Sequence, residues 1–526
     1  MLTKIYSAAP VGIEAVPVTI EVHSVPGFEF TLVGLPDSAV KESHERIVAA
    51  LTVNGYDAQH RTFTINMAPA DIKKEGAAFD LPLAIGMLAG SEIVKTRLLA
   101  HYMIIGELSL DGSLQPIRGA LPIALTARKE GFQGLILPVA NAEEAAVVDG
   151  LDVYGLNNIS EVVRFLNGEP KDDLNENDIF EPLHVDIRAM FNESAFPADT
   201  DFADVRGQYK VRRAVEIAAA GGHNMIMVGP PGAGKSMIAK RIPSILPPLT
   251  LEEALETTKI HSVAGLTNKR RGANGSLIVQ RPFRSPHHTI TDVALVGGGT
   301  NPHPGEISLA HNGVLFLDEL PEYKRSALEV LRQPLEDRHI TVSRTKETVD
   351  YPASFMLVAA MNPCPCGHYG ENNPAHPCTC TPAQVHRYMS RISGPLLDRI
   401  DIQCEIEAVP YEQLRDMQPG ESSAAIRERV LKAREVQNER FKDSKIVHCN
   451  AMMNAKMVRQ YCVLDEECDK TLEMAMTKLG LSARAYDRIL KVARTIADIE
   501  GAEHIRKKHL LEAISYRSLD RSSWLG

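Results

Sequence analysis

One stretch of the sequence decides the fold of its central part: Gly229-Pro230-Pro231-Gly232-Ala233-Gly234-Lys235-Ser236. It fits the pattern G-x-x-x-x-G-K-[ST], a glycine-rich loop that joins a buried strand to the first turn of a helix. Residues 225–228 are apolar and predict the strand, and residues 236–240 predict the helix. Such a loop aims backbone N–H groups at a chain of phosphates. We therefore expect residues 229–236 and Met237 to bind a nucleoside triphosphate.

Side chains of the loop and of a later strand predict the chemistry of this site. Lys235 is expected to reach the β- and γ-phosphates of ATP, and Ser236 to hold Mg²⁺. A second apolar run, residues 314–317, ends in Asp318 and Glu319. The first carboxylate would lie beside Mg²⁺, and the second would act as general base toward the attacking water.

Three more side chains are candidates for the same site. The apolar run 355–360 leads to Asn362, which either orients the attacking water or is a turn residue before a proline. Arg399 lies in the run L-L-D-R-I-D (396–401), and Arg484 opens a C-terminal helix. An arginine donated across a subunit boundary stabilises charge on the γ-phosphate, and a lid arginine reports bound nucleotide. Surface or salt-bridged arginines are the alternative for both.

Composition places the chain among ordinary globular proteins. Of its 526 residues, 44% are hydrophobic and 24% are charged. The sequence has no apolar run of transmembrane length, and its first residues lack the apolar core of a signal peptide. We expect a cytoplasmic protein without membrane contact. The eight cysteines are then thiols or metal ligands rather than a disulfide framework.

The net charge of −10 is concentrated in one segment. Residues 171–204 carry ten acidic and two basic residues, so the rest of the chain is close to neutral and local basic patches can bind nucleic acid. The segment reads as a connector. It separates the predicted parts of a multidomain α/β chain: an α+β domain (1–168), an acidic linker (169–201), a core (202–403) and a helical domain (404–526).

Local patterns predict the elements of each part. In the N-terminal domain, residues 18–22 and 62–65 predict strands, and residues 38–53 a helix. Apolar strands alternate with helices in the core, which predicts a mostly parallel sheet with helices on both faces. The C-terminal part predicts helices over 424–441, 484–500 and 507–518. The second of these helices carries an apolar face: Ala485, Ile489, Val492, Ala493 and Ile496.

Several longer motifs make the chain resemble a known family. They are A-A-A-G-G-H-N (218–224), R-P-F-R-S-P-H-H-T (281–289), P-G-E-I-S-L-A-H (304–311), N-P-C-P-C-G (362–367), R-I-S-G-P-L-L-D-R (391–399) and V-A-R-T-I-A-D (492–498). With the phosphate loop (Walker A), they resemble the ComM/YifB family of magnesium chelatase-like AAA+ ATPases. The resemblance covers essentially the whole chain.

The resemblance implies a fold, an assembly and residue roles. The fold would be an AAA+ αβα P-loop core with an α-helical C-terminal lid, assembled as a homohexameric ring with ATP sites between subunits. Arg399 would be the trans finger, Asn362 the first sensor and Arg484 the second sensor.

The resemblance also implies two insertions that face the pore of the ring. One includes residues 281–299, and the other is a hairpin, residues 340–349. Related DNA motors carry a basic hairpin tip that tracks phosphates, and Arg344 and Lys346 match it; a solvated tip is the alternative. The candidate DNA-contacting residues of the first insertion are Arg281, Arg284, His287 and His288.

For the N-terminal domain, the resemblance points to the Lon-protease-like (S5 domain 2-like) fold. A Lon-type site needs a serine nucleophile and a lysine base. The nucleophile position falls at Ala78 and the lysine position at Leu121. Because neither side chain can do the chemistry, we expect a non-proteolytic module for DNA binding or hexamer assembly.

Two cysteine pairs bracket a loop rich in Gly, Asn and Pro within 364–380. Cys364, Cys366, Cys378 and Cys380 could close a tetrahedral Zn²⁺ site, with His368 and His376 as alternative ligands. The C-x-C spacing is tighter than the usual C-x-x-C, so free thiols or a redox pair remain alternatives.

The leading expectation is therefore an ATP-driven hexameric motor on single-stranded or branched DNA, acting in branch migration during recombination and natural transformation. A chelatase-type or protein-remodelling ATPase is the alternative. An ATP-dependent protease is disfavoured by Ala78 and Leu121.

Overall fold

The computed structural model describes residues 1–34, 37, 40, 42–56, 60–72, 74, 76–171, 178–192, 200–267, 276–299, 302–343, 348–370, 377–407, 420–444 and 446–517. The chain forms two compact units: Met1–Ser194 with Leu251–Val279, and Ala195–Thr250 with Gln280–Gly526. The chain therefore returns to the first unit before it completes the second. The sequence predicted that Leu251–Val279 belongs to the core, whereas its packing groups it with the N-terminal residues.

The first unit is built on strands, as the α+β pattern predicted. They are β1 (Leu2–Val11), β2 (Glu14–Pro26), β3 (Phe30–Val33), β4 (Arg61–Ala68), β5 (Tyr102–Ile104), β6 (Glu107–Leu108), β7 (Leu114–Gln115), β8 (Gly134–Pro138) and β9 (Asp152–Leu156). Among the described residues, a mixed seven-stranded sheet has the order β3-β4-β2-β1-β5-β8-β9, and β6 pairs with β7. Strands β2 and β4 contain the two predicted strand runs.

Helices pack with this sheet. They are α1 (Ser43–Val53), α2 (Asp80–Gly90), α3 (Ala120–Lys129), α4 (Val139–Ala145), α5 (Ile159–Asn167), α6 (Ile187–Asn192) and, from the returning segment, α9 (Leu251–Val263). α2 is buried along its whole length. α5 shows how local sequence sets helix ends: the Asn158 side chain caps its first turn, and Gly168 in a left-handed conformation ends it.

The second unit contains a fully parallel five-stranded sheet. Its strands are β10 (Met225–Val228), β11 (Phe283–Arg284), β14 (Val314–Leu317), β17 (Met356–Met361) and β18 (Ile402–Glu405). They lie in the order β11-β14-β17-β10-β18, with every neighbouring pair parallel. The predicted parallel sheet is confirmed. Two antiparallel pairs accompany it: β12 (Gly297–Gly298) with β13 (His303–Pro304), and β15 (His339–Ser343) with β16 (Thr348–Pro352).

Helices make up most of the rest of this unit. They are α7 (Tyr209–Gly221), α8 (Lys235–Arg241), α10 (Asp292–Val296), α11 (Glu306–Leu309), α12 (Arg325–Val330), α13 (Arg332–Asp337), α14 (Pro382–Met389), α15 (Gly394–Leu397), α16 (Ser423–Arg440), α17 (Ala455–Tyr461), α18 (Glu466–Leu479), α19 (Ala483–Ile499) and α20 (Lys507–Ser515). The predicted C-terminal helices correspond to α16, α19 and α20. The five apolar residues predicted for one face of α19 are all buried.

Candidate functional site

The predicted phosphate loop joins strand β10 to helix α8. β10 is buried along its length, and α8 begins at Lys235. Gly232 and Gly234 adopt left-handed φ values of 79° and 88°, which glycine tolerates best. A Cβ atom on Gly229 would lie 2.3 Å from the Ile406 carbonyl oxygen. The loop therefore needs glycine at these positions to follow its path from strand to helix.

The Lys235 ammonium is held by neutral acceptors at the mouth of this loop. It donates to the carbonyl oxygens of Gly229 at 2.6 Å and Pro230 at 2.9 Å, and to Asn362 Oδ1 at 3.0 Å. Burial lowers the pKa of Lys235 from its ordinary value. Phosphate oxygens would offer this cation stronger acceptors. The contact also brings Asn362 to the predicted site rather than leaving it as a turn residue alone.

Ser236, in the first turn of α8, and Asp318, which follows β14, meet at one edge of the sheet. The Ser236 hydroxyl donates to Asp318 Oδ2 at 2.6 Å, and the Glu319 backbone N–H donates to Asp318 Oδ1 at 3.0 Å. Strand β17 lies between β10 and β14, so the carboxyl ends of all three open at one edge. A hydroxyl and a carboxylate are oxygen ligands of the kind that Mg²⁺ prefers. The pair fits the predicted magnesium site.

The predicted general base, Glu319, contacts the insertion rather than the loop. Its backbone is left-handed, with φ 52°, and its side chain is 55% exposed. His288 Nδ1 lies 3.1 Å from Glu319 Oε2. His287 stacks beside His288, with 4.1 Å between ring centroids. The Tyr323 hydroxyl donates to the Pro286 carbonyl at 2.6 Å and so fixes the start of this segment.

The two candidate arginines make ion pairs within the chain. The Arg399 side chain is only 7% exposed, and it contacts Glu336 Oε1 at 2.6 Å and the Pro395 carbonyl at 2.7 Å. The Arg484 side chain is 63% exposed and lies 3.8 Å from Asp398 Oδ2. Both therefore make the salt bridges that were the alternative interpretation. Their roles across a subunit boundary stay predictions.

The two arginines of the first insertion are also engaged internally. Arg281 donates to the carbonyl oxygens of Pro247 at 2.6 Å and Asn312 at 2.7 Å. Arg284 forms a bidentate pair with Glu306 at 2.6 and 2.5 Å. These contacts fix the ends of β11 and neutralise Arg284. In this conformation, neither guanidinium is presented as a free phosphate contact.

The predicted hairpin is present. Strands β15 and β16 pair in antiparallel register from His339 opposite Pro352 to Ser343 opposite Thr348. Its tip, with Arg344 and Lys346, lies outside the described residues, and the DNA role of these two side chains stays a prediction.

The four cysteines converge as the sequence predicted. Cys364 Sγ lies 3.3 Å from Cys366 Sγ and 3.8 Å from Cys378 Sγ, and the latter two are 3.6 Å apart. All four sulfurs, including that of Cys380, lie within 4.8 Å of one another. Four Zn–S bonds of about 2.3 Å at tetrahedral angles put sulfurs about 3.8 Å apart, so the cluster fits that ion. A hydrogen bond from the His368 backbone lowers the pKa of Cys366 to about 5, whereas burial raises the pKa of Cys380 to about 12, so the sulfur geometry alone carries the fit to a metal. His376 lies outside the described residues.

The first unit has a different kind of polar centre near Leu121. The buried Glu144 carboxylate accepts from the Leu121 backbone N–H at 3.1 Å and from the Thr267 hydroxyl at 2.8 Å. Burial raises the pKa of Glu144. Lys259 pairs with Glu14 at 2.7 Å and holds α9 in the same unit. These contacts explain why the returning segment packs with the N-terminal residues.

The sequence did not predict the acidic residues that pair with the candidate arginines, namely Glu306 with Arg284 and Glu336 with Arg399. Glu306 lies in a motif already quoted, and its position after a glycine was the signal available; Glu336 had none. The pairing of Arg488 with the buried Asp401, which also contacts His223 at 3.1 Å, was equally unmarked. In each case the partners are far apart in sequence.

The parallel sheet and the glycine-rich loop between β10 and α8 are those of the P-loop class of proteins. Residues 201–414 match the family described as "Magnesium chelatase, subunit ChlI". Residues 20–141 match "Subunit ChlI of Mg-chelatase", and residues 420–517 match "Magnesium chelatase, subunit ChlI C-terminal". Within the part of the chain that the structure describes, no helix is both long and apolar enough to cross a membrane.

Relatives that match over the full length show which family within this class of proteins the chain belongs to. The chain is 44% identical to YifB of Escherichia coli and 45% identical to competence protein ComM of Haemophilus influenzae, each over 99% of this chain and 98% of the relative. The chain therefore belongs to the ComM/YifB family of magnesium chelatase-like AAA+ proteins. Two further relatives match only in part. A DNA replication licensing factor of Schizosaccharomyces pombe is 26% identical over 34% of this chain and 19% of that protein. Lon protease 2 of Bacillus subtilis is 25% identical over 28% of this chain and 26% of that protein.

Proposed function

We propose that the protein is a cytoplasmic, homohexameric ATPase that moves single-stranded or branched DNA, as a branch-migration helicase in recombination and natural transformation. The observation that carries the proposal is the 3.1 Å contact between His288 and Glu319. It joins the predicted DNA-facing insertion to the predicted general base, so a ligand that moves the insertion changes hydrolysis. The competence-protein relative and the partial match to a replication factor support DNA as that ligand.

The site residues divide the work of hydrolysis. Lys235 exchanges its carbonyl partners for the β- and γ-phosphates. Mg²⁺, when bound by Ser236 and Asp318, supplies charge neutralisation. Glu319 takes a proton from the attacking water while the water oxygen bonds to the γ-phosphorus and the bond to the bridging oxygen breaks. Asn362 orients that water.

The two arginines act in the assembled ring in this proposal. Arg399 releases Glu336, which lies at the surface, and reaches the γ-phosphate of the neighbouring subunit. Arg484 acts from the helical lid. Mixing Lys235→Ala and Arg399→Ala chains tests this: each is inactive alone, and mixed rings regain hydrolysis at the interfaces that combine one intact loop with one intact arginine. Mixtures without activity would remove Arg399 from the trans site.

Branch migration is tested on labelled four-way and three-strand junctions with ATP. The wild-type chain should separate them, and ATP hydrolysis should rise with single-stranded DNA. Arg344→Ala/Lys346→Ala should weaken DNA binding. The slope of the logarithm of the binding constant against the logarithm of salt concentration should become shallower by about 1 for each phosphate that is no longer neutralised. The matched control is Lys432→Ala/Lys470→Ala, because both lysines are exposed and paired within helices. Hydrolysis that ignores every DNA, without branch migration, contradicts the proposal.

The second candidate is a chelatase-type or protein-remodelling ATPase. The internal pairing of Arg281 and Arg284 favours it, because these side chains then shape the insertion instead of contacting phosphates. The named family matches support it as well. DNA-independent ATPase activity that rises with a co-purified protein would favour this candidate.

For the first unit, we propose a Lon-like fold that serves DNA binding or ring assembly without proteolysis. Its mixed sheet supports the fold, and the chain as a whole has a partial match to a Lon protease. Ala78 and Leu121 support the loss of proteolysis, because neither side chain can act as nucleophile or base. Degradation of an unfolded substrate by the purified chain alone would contradict it.

We propose zinc as the metal of the cysteine cluster. The sulfur separations support it, and so does the loop sequence, which is rich in Gly, Asn and Pro and therefore needs a bound ion to order it. Purification without chelator should give about one zinc per chain. Metal-free protein with full stability would favour free thiols.

A further inference from the structure

The cysteine cluster lies between two elements that border the nucleotide site. Strand β17 ends at Met361, and Asn362, which accepts from Lys235 at 3.0 Å, precedes the first cysteine by two residues. On the other side, Cys380 precedes Thr381, which caps α14 through a reciprocal pair of hydrogen bonds with Gln384. The cluster therefore joins the exit of β17 to the start of α14.

A direct contact joins the cysteine loop to the phosphate loop. Gly367 lies between the two cysteine pairs with a left-handed φ of 90°. A Cβ atom there would lie 2.5 Å from Pro231 Cδ and 2.7 Å from Pro231 Cγ. Atoms at such separations overlap, so the backbone at Gly367 rests directly on the proline ring of the phosphate loop.

A third contact comes from α14. Tyr388 is buried on this helix, and burial raises its pKa to about 12 while the Asn362 backbone acts to lower it. The cysteine loop thus lies against the phosphate loop at Pro231, and it follows directly in sequence from Asn362, which bonds to Lys235. The described part of the loop contributes few apolar side chains, so a bound metal is the means by which it can hold a fixed shape.

We infer that the metal held by Cys364, Cys366, Cys378 and Cys380 positions Pro231 and Asn362 for nucleotide binding. The inference rests on the proposed metal site. The ion that these four sulfurs would bind is divalent and thiophilic, and zinc fits the distances between the sulfurs. Pro231 and the metal loop are positioning groups: they act through the phosphate loop and Lys235 rather than on the phosphates.

Metal removal tests the inference in the full chain. Zinc is stripped with a chelator, the protein is returned to Mg²⁺ buffer, and the Kd of a fluorescent ATP analogue is measured beside the zinc content. Zinc-free protein should bind about tenfold more weakly, and added zinc should restore binding. An unchanged Kd in protein shown to lack zinc overturns the inference.

A pair of glycine variants isolates the contact. Gly367→Ala introduces both left-handed strain and a clash with Pro231. Gly370→Ala introduces the strain alone, since its φ is 80° and nothing lies within 4 Å of its added Cβ. Gly367→Ala should raise the nucleotide Kd by about tenfold, because small displacements at a phosphate site are costly. Equal effects of the two variants would overturn the inference.

A cysteine variant with a matched neighbour completes the test. Cys378→Ser should lose zinc and nucleotide affinity together, whereas Thr379→Ser, one residue away, should lose neither. Loss of zinc without loss of affinity overturns the inference. All these measurements are made without DNA, so failure of the DNA-motor proposal leaves their outcome unchanged, and an unchanged Kd leaves that proposal standing.

Discussion

The phosphate-loop site of the second unit and the Leu121 region of the first unit use their buried polar groups differently. Lys235 is held by carbonyl and amide oxygens that phosphates can replace. Glu144 accepts from a backbone N–H and a hydroxyl of its own unit, and both donors need it. A buried ionisable group therefore indicates a ligand site when a ligand can replace its partners, and a structural contact when it cannot.

The largest expected effect is the loss of ATP turnover when the proposed general base of the phosphate-loop site is removed. Glu319→Gln should keep nucleotide affinity and lower ATP turnover by about 10³-fold, because the amide cannot accept the proton of the attacking water. Single-turnover hydrolysis and analogue binding measure both effects. Glu322→Gln is the control on the same segment. Hydrolysis retained by the Glu319 variant would show that another group is the base.

The next effect lies in the first unit, where Glu144 should matter for stability alone. Glu144→Ala leaves the Leu121 N–H and the Thr267 hydroxyl without their acceptor, which should cost about 2 kcal/mol in the free energy of unfolding. Hydrogen exchange of the amides of α3 and α9 reports the loss. Glu144→Gln keeps an acceptor and is the matched control. Loss of ATP turnover at unchanged folding would assign Glu144 a chemical role and end the contrast.

A smaller effect shows how far the phosphate-loop site extends into the insertion. His288→Ala should lower kcat about tenfold at unchanged nucleotide Kd, because Glu319 loses the partner that orients it. His287→Ala, which leaves the His288 side chain beside Glu319, should have a smaller effect, since the His287 ring bonds to Thr289. A change confined to Kd would place His288 in nucleotide binding instead.

The smallest expected effect is a change in folding stability with pH, which reports the titration of Glu144. Its pKa is raised above the ordinary value of 4.5, so its contribution to stability is present below that value and is lost as pH rises through the raised pKa. The wild-type chain should therefore lose stability relative to Glu144→Gln as the pH rises above 4.5 toward neutrality. Hydrogen exchange in α3 across this range measures it. A pH-independent difference would mean that the carboxyl does not titrate there.

The phosphate-loop site could be predicted because its signals are local. The loop needs glycines at fixed spacing, and the polar residues after buried strands meet at one sheet edge once the strands are parallel. Asp318 and Asn362 followed from that rule. The convergence of the four cysteines followed from short spacing in the same way.

The rest depended on contacts that spacing does not encode. The predicted core, residues 202–403, included Leu251–Val279, and nothing in its local sequence indicated that this segment packs with N-terminal residues. Arg284 looks like a phosphate contact until Glu306 is brought beside it. The approach of Gly367 to Pro231 joins positions more than a hundred residues apart.

The return of Leu251–Val279 to the first unit imposes an order on synthesis. The ribosome delivers β10, the phosphate loop and α8 before it delivers the last piece of the N-terminal unit. Until then, Glu144 lacks the Thr267 hydroxyl and Glu14 lacks Lys259. A gene fragment that stops after residue 250 encodes that unfinished intermediate. An N-terminal unit that is to fold alone must carry residues 251–279 as well, spliced in place of residues 195–250, which contain α7, β10 and α8.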